Sequence, residues 1–216
     1  MARLAPRVVV VVSVFLVAAA AAAQVPVVVA VDTSRSLSPA ELTRVRGTLA
    51  ETSALLPADT PLGLVAFNDE ARWLVEVGGS PADLDRALAQ LAPSGSYTVL
   101  HDALFLSARE LQGGGVVVVL SDGRDENSAT TLEDVGRLCE ANRVRVVAAS
   151  VGGRVDERGL RRLALLSQGT YVGRLGSLTP AELVAPVADA RGMVREEIGA
   201  AARAQRSRSE EHTSEL

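Results

Sequence analysis

Runs of β-branched residues without polar interruption alternate along the chain with segments that carry apolar residues at helical spacing. Residues 116–120 read V-V-V-V-L, and residues 25–31 are almost as uniform. Such runs are typical of parallel strands that are covered on both faces. The strands predicted in this way cover residues 25–31, 62–67, 73–77, 116–120, 144–151 and 170–172. The third follows the second after only a short turn, which predicts an antiparallel edge pair rather than a crossover.

Helix start signals stand between these runs. Residues 38–41 read S-P-A-E, residues 80–83 S-P-A-D and residues 179–182 T-P-A-E. A hydroxyl residue, a proline and an acid three positions later form the pattern of a capped helix start. The predicted helices begin near residues 38, 80, 99, 131, 157 and 179. The last is expected to reach at least Val194, and residues 200–204 either extend it or begin a linker.

Strands that alternate with helices predict an α/β fold. We expect a Rossmann-like three-layer open sheet that is mostly parallel, has one antiparallel edge strand and carries helices on both faces. The length of 216 residues and the hydrophobic fraction of 48% fit one domain with tails.

The two ends of the chain differ from the rest. Residues 1–23 combine two arginines, an apolar run and an A-A-A site, which is the pattern of an export signal. An uncleaved N-terminal anchor is the alternative, although the apolar run is shorter than the ~20 residues of a spanning helix. We therefore expect an exported protein that is periplasmic, on the cell surface or secreted. Residues 24–200 form the predicted domain, and residues 201–207 a linker or tail. Residues 208–216 resemble a translated sequencing adapter, and we interpret them as an artefact.

The charge and the cysteine content exclude several classes of function. The formal charge is −4 and the sequence contains no lysine, which excludes a P-loop and Schiff-base chemistry. The arginines form no cluster typical of nucleic-acid binding, so no nucleic-acid partner is expected. Cys139 is the only cysteine, so no internal disulfide forms, and its neighbours predict a small buried side chain.

Five oxygen-bearing side chains follow the predicted strands or the loop between them: Asp32, Ser34, Ser36, Thr98 and Asp122. In open α/β sheets, ligands bind outside the carboxyl ends of the strands, so these three segments converge on one rim. Hydroxyl and carboxylate oxygens without a neighbouring lysine suit a hard cation such as Mg²⁺. Two carboxylates would neutralise a divalent ion and leave a coordination position for an outside ligand.

These residues carry a resemblance to a known family. D-T-S-R-S at residues 32–36 resembles the D-x-S-x-S signature of von Willebrand factor type A domains. T-V-L-H-D-A-L at residues 98–104 is similar to the family's threonine motif, and L-S-D-G at residues 120–123 to its aspartate motif. The resemblance covers residues 25–194. It departs in the loop before the threonine, where S-G-S-Y stands in place of the usual Gly-Gly.

The resemblance implies a metal-ion-dependent adhesion site (MIDAS) that holds Mg²⁺ or Mn²⁺. Ser34 and Ser36 would then be direct ligands, and Thr98 a ligand that engages in the ligand-bound state. Asp32 and Asp122 would act largely through water. The implied partner is a protein that supplies an Asp or Glu carboxylate to the open position.

Two classes of function follow. The first is an exported, non-enzymatic interaction or adhesion module, with no catalytic residues. The second is a metal-dependent hydrolase resembling the haloacid dehalogenase phosphatases, with Asp32 as nucleophile. That pattern needs an aspartate where Ser34 stands, and a lysine that the chain lacks, so the interaction module is favoured. A domain with this fold but without a competent metal site is a third reading.

Overall fold

The computed structural model describes residues 24–214 of the chain. The export signal or anchor expected at residues 1–23 lies outside the described residues, as do residues 215–216.

One six-stranded sheet forms the centre of the molecule. Its strands are β1 (Val27–Asp32), β2 (Leu62–Phe67), β3 (Ala71–Gly79), β4 (Gly115–Ser121), β5 (Val144–Ser150) and β6 (Thr170–Arg174). The strand order is β3-β2-β1-β4-β5-β6. Every neighbouring pair is parallel except β2 and β3, which are antiparallel. The predicted fold class is confirmed, including the antiparallel edge strand.

Six α-helices connect and cover the strands. They are α1 (Pro39–Leu55), α2 (Pro81–Leu88), α3 (Leu100–Glu110), α4 (Leu132–Asn142), α5 (Glu157–Leu166) and α6 (Pro180–Ser214). Helix α6 continues without a break through residues 201–207, so that segment is helical. Within residues 24–214, none of the helices combines the length and the apolar character that crossing a membrane requires.

The three helix starts that carry a capping motif have the expected caps. At α1, the Ser38 hydroxyl accepts from the Glu41 amide at 3.3 Å, and the Glu41 carboxylate accepts from the Ser38 amide at 2.7 Å. The same reciprocal pair forms at the starts of α2 and α4. Thr179 and Glu182 form it at the start of α6. These capping boxes fix where each helix leaves its loop.

The core has two layers, one on each face of the sheet. Along β1, Val27, Val29 and Val31 pack toward α1, α2 and α6, whereas Val28 and Ala30 pack toward α3, α4 and α5. This explains the unbroken valine runs, because both faces of the central strands are covered. Cys139 is buried in the second layer, and burial raises the pKa of its thiol to about 12.

Helix α6 is fastened at the amino ends of the strands. The buried Arg145 guanidinium near the start of β5 pairs with Glu197 of α6. Arg191 Nε of α6 donates to the carbonyl of Val25 at 2.9 Å, just before β1 begins. These contacts lie at the end of the sheet opposite the predicted rim.

Candidate metal centre

The structure places the two predicted carboxylates at the carboxyl ends of neighbouring parallel strands. Asp32 is the last residue of β1, and Asp122 directly follows β4. Between them, the Ser121 hydroxyl donates to Asp32 Oδ2 at 2.8 Å. Ser121 was not expected as a site residue, because it is 89 positions from Asp32 and no sequence spacing shows the contact.

The loop after β1 turns two serine hydroxyls toward one point. The Ser34 amide donates to Asp32 Oδ1 at 2.8 Å, which folds the loop back on the strand end. The hydroxyl oxygens of Ser34 and Ser36 are 2.8 Å apart and share a hydrogen bond. Ser34 is buried and Ser36 is exposed, so the pair opens toward solvent. Two hydroxyl oxygens this close together can coordinate the same small cation.

Thr98 is held at the same rim by backbone contacts from two other loops. Its carbonyl accepts from the amides of Glu126 at 2.9 Å and Asn127 at 3.3 Å, in the loop after β4. The next amide, of Val99, donates to the Asn68 carbonyl at 2.9 Å, in the turn between β2 and β3. Thr98 itself is buried. Its position therefore depends on the loops that follow β2 and β4.

The first amides of α3 are capped by that same loop after β4. Val99 provides no side-chain cap for the helix. Asp125 Oδ1 accepts from the His101 amide at 3.0 Å, and the Ser128 hydroxyl from the Asp102 amide at 3.1 Å. His101 Nδ1 also faces Asp125 Oδ2 at 3.3 Å. Asp125 thus holds the start of the helix that begins after Thr98.

The unusual S-G-S-Y loop is held by the carboxylate of Asp69, a residue that was not predicted as part of the site. Asp69 Oδ1 accepts from the amides of Ser96 at 2.7 Å and Tyr97 at 2.6 Å. These hydrogen bonds hold the pKa of Asp69 below its usual range. Gly95 has φ +75°, and a Cβ there would lie 2.8 Å from Asn68 Cβ, so the loop requires glycine.

The electrostatics of the centre leave negative charge uncompensated. Asp32 is 0% exposed, and burial raises its pKa against the lowering effect of hydrogen bonds from Ser34 and Ser121. The neighbouring Asp122 carboxylate raises that pKa further. Among the residues that the structure describes, no arginine or histidine forms an ion pair with either carboxylate. A cation is the group that this arrangement suits.

The ligand chemistry of such a cation is restricted. Within residues 24–214, no three His, Cys, Asp or Glu side chains cluster so that they could hold a metal ion. A cation at this rim would therefore need the serine and threonine hydroxyls beside the carboxylates, which suits a hard ion.

The hydrolase alternative finds little support in the geometry. Both carboxylate oxygens of Asp32 accept hydrogen bonds, and the side chain is buried. A nucleophilic carboxylate needs an oxygen that a substrate can reach.

Comparisons with known proteins were made on the sequence and on the fold. The family model of the von Willebrand factor type A domain matches residues 27–179. A search of curated proteins gave no match.

Several solved structures have the same fold. A von Willebrand factor type A protein from Catenulispora acidiphila is 20% identical, with a TM-score of 0.61 over 82% of this chain and 43% of that one. The manganese-loaded TRAP protein of Plasmodium vivax is 20% identical, with a TM-score of 0.63 over 77% and 72%. Proximal thread matrix protein 1 of the mussel byssus, with a zinc-occupied MIDAS motif, is 21% identical, with a TM-score of 0.62 over 81% and 46%. The chain thus spans less than half of the first and third of these proteins.

Proposed function

Since this chain belongs to the von Willebrand factor type A domain family, we propose that it is an exported, metal-dependent interaction module that captures a carboxylate of a protein partner. Domains of this family are typically interaction modules rather than enzymes. Export is supported by the pattern of residues 1–23.

The observation that carries the proposal is the buried Asp32 carboxylate, which has no arginine or histidine partner among the residues that the structure describes. A buried, unpaired carboxylate costs several kcal/mol. Here a second carboxylate, Asp122, lies close enough to raise its pKa. A divalent cation at the rim would offset the charges of both carboxylates. The two side chains would then stabilise the bound ion instead of repelling each other.

The residues present fit such an ion. Ser34 and Ser36 would contribute their adjacent hydroxyl oxygens directly, and Thr98 would join in the ligand-bound state. Asp32 and Asp122 would act largely through water, which is the role that the family resemblance implies for both. The oxygen donors favour Mg²⁺ or Mn²⁺. When bound, the ion supplies an open coordination position for a partner's Asp or Glu.

A manganese titration followed by NMR line broadening tests the metal centre. We expect selective broadening around Ser34, Thr98 and Asp122. Ser36→Ala should weaken the broadening, whereas Ser38→Ala should leave it unchanged, since Ser38 belongs to the same loop but caps α1. Uniform broadening, or equal effects of the two substitutions, would contradict the proposed ligand set.

A further inference from the structure

A cleft of about 140 Å³ lies beside the metal centre, on the side of β5 and β6. Its lining includes Glu41, Arg44, Gly152, Gly153, Arg174 and Gly176. We call it the arginine cleft. It joins the first turn of α1, the loop after β5 and the end of β6.

Both arginines of the cleft have free guanidinium groups. Within the described residues, neither Arg44 nor Arg174 forms an ion pair. Arg44 Nη1 lies 3.5 Å from the point where a Cβ on Gly176 would stand, so the guanidinium covers the backbone there. Hydrogen bonds from Ser38 are the main cause of the lowered pKa of Glu41, and the positive charges of Arg44 and Arg174 lower it further, so both arginines lie close to this carboxylate.

Glu41 compensates only part of the positive charge of Arg44 and Arg174. Its Oε2 already accepts from the amide and the hydroxyl of Ser38, each at 2.7 Å, in the capping box of α1. Two guanidiniums and one carboxylate leave the cleft with a net charge of about +1 at neutral pH. An anion could therefore enter it without displacing an existing pair.

Glycine backbone forms the wall between the cleft and the metal centre. Gly152 has φ +102°, and its Cβ position would lie 3.6 Å from Cβ of Asp122. In the part of the chain that the structure describes, the amides of Gly152 and Gly153 donate no hydrogen bond. The lining of the cleft thus combines two guanidiniums with two backbone amides that have no hydrogen-bond acceptor among the described residues, next to Asp122.

We propose that the arginine cleft binds a second carboxylate of the same protein partner, so that the partner presents two acidic side chains. The inference rests on the proposed function and extends it. A divalent ion with Asp32 and Asp122 is neutral and takes one partner carboxylate at its open position. The net charge of about +1 in the cleft matches one further carboxylate, so the two sites together select a partner segment with two acidic side chains over a single acidic residue.

Oligoaspartate of ten residues tests the proposal, because it presents carboxylates at many spacings. The full chain, loaded with Mg²⁺, is titrated as wild type, as Arg44→Gln/Arg174→Gln, and as the control Arg86→Gln/Arg137→Gln. The control removes the same charge from guanidiniums that pair with Asp83 and Asp134 on other helices. We expect the cleft variant to lose roughly two- to five-fold in affinity, the range of an exposed ion pair. An equal loss in the control would overturn the proposal.

Inorganic phosphate, titrated into metal-free Asp32→Asn/Asp122→Asn protein, separates this inference from the metal centre, because these substitutions remove the two carboxylates that would repel an anion. Amide shifts confined to Gly152, Gly153 and Gly176, lost when Arg44→Gln/Arg174→Gln is added and kept when Arg86→Gln/Arg137→Gln is added, would support the cleft as an anion site even where manganese causes no selective broadening of the wild type. Absence of such shifts would overturn it, while selective manganese broadening of the wild type would leave the proposed function standing.

Discussion

Asp32 is a residue that destabilises the metal-free fold and that would stabilise a bound cation. Its carboxylate lies at the end of a central strand, held by Ser34 and Ser121, and pairs with no arginine or histidine of residues 24–214. Ionising this buried side chain therefore costs the folded protein free energy.

Asp32→Asn is expected to raise the melting temperature of the metal-free protein at pH 7, because it removes the buried charge. The gain in unfolding free energy should be about 1 kcal/mol. Thermal unfolding with and without Mg²⁺ gives the second half of the prediction: the stabilisation that Mg²⁺ confers on the wild type should be absent from the variant. Asp85→Asn removes the same charge at an exposed position. This control should neither raise the melting temperature nor remove the stabilisation by Mg²⁺. A less stable metal-free Asp32 variant would contradict the prediction.

The four capping boxes act at the scale of whole helices. The carboxylates of Glu41, Asp83, Asp134 and Glu182 each accept from the hydroxyl residue at the start of their helix, which lowers their pKa. A lowered pKa means that the folded state holds the proton less tightly than the unfolded chain. The stability that the caps contribute is present above the ordinary pKa and is lost as the pH falls below it.

Glu41→Gln should accordingly destabilise the protein at pH 7 and have a smaller effect at pH 3. The ordinary pKa of this carboxyl is 4.5, so part of the wild-type advantage has already titrated away at the lower pH. Urea unfolding at the two pH values measures the difference. Glu51→Gln, an exposed change on the same helix, serves as the control. Equal losses at both pH values would mean that the cap does not depend on the charge.

The attachment of α6 involves the whole molecule, because this helix joins the amino ends of β1 and β5. The Arg145 side chain is only 7% exposed, and Glu197 is its partner. Glu197→Ala leaves this guanidinium buried without its carboxylate and should cost about 1–3 kcal/mol in urea unfolding. Glu196→Ala removes an exposed neighbour and should cost little. Similar losses in the two variants would show that the ion pair does not fasten the helix.

The architecture could be predicted from the sequence because its signals are local. The valine runs identified the covered strands, the short turn at residues 68–70 identified the antiparallel edge, and the capping motifs identified three helix starts. The end of α6 could not be predicted in the same way. Alanine, arginine and glutamate after Val194 are good helix formers, but propensity alone does not fix where a helix ends, and the structure shows that this one continues.

The site could be predicted in part. The structure brings the strand-end residues Asp32 and Asp122 together, and it places the Ser34 hydroxyl against Ser36. The contacts that hold them are long-range: Ser121 to Asp32, and Asp125 to the first amides of α3. No periodicity or spacing encodes such pairs, because they arise only when the sheet is assembled. The metal itself stays a prediction.

The capping of α3 by the loop after β4 has a consequence for protein engineering. Asp125 and Ser128 lie in that loop but accept from the first amides of α3, which are 24 and 26 positions earlier in the chain. A loop transplanted from a homologue to alter recognition would therefore uncap α3 unless it brought equivalent groups. The loop after β4 and the first turn of α3 therefore depend on each other. In a designed variant, the two segments should be replaced together rather than the loop alone.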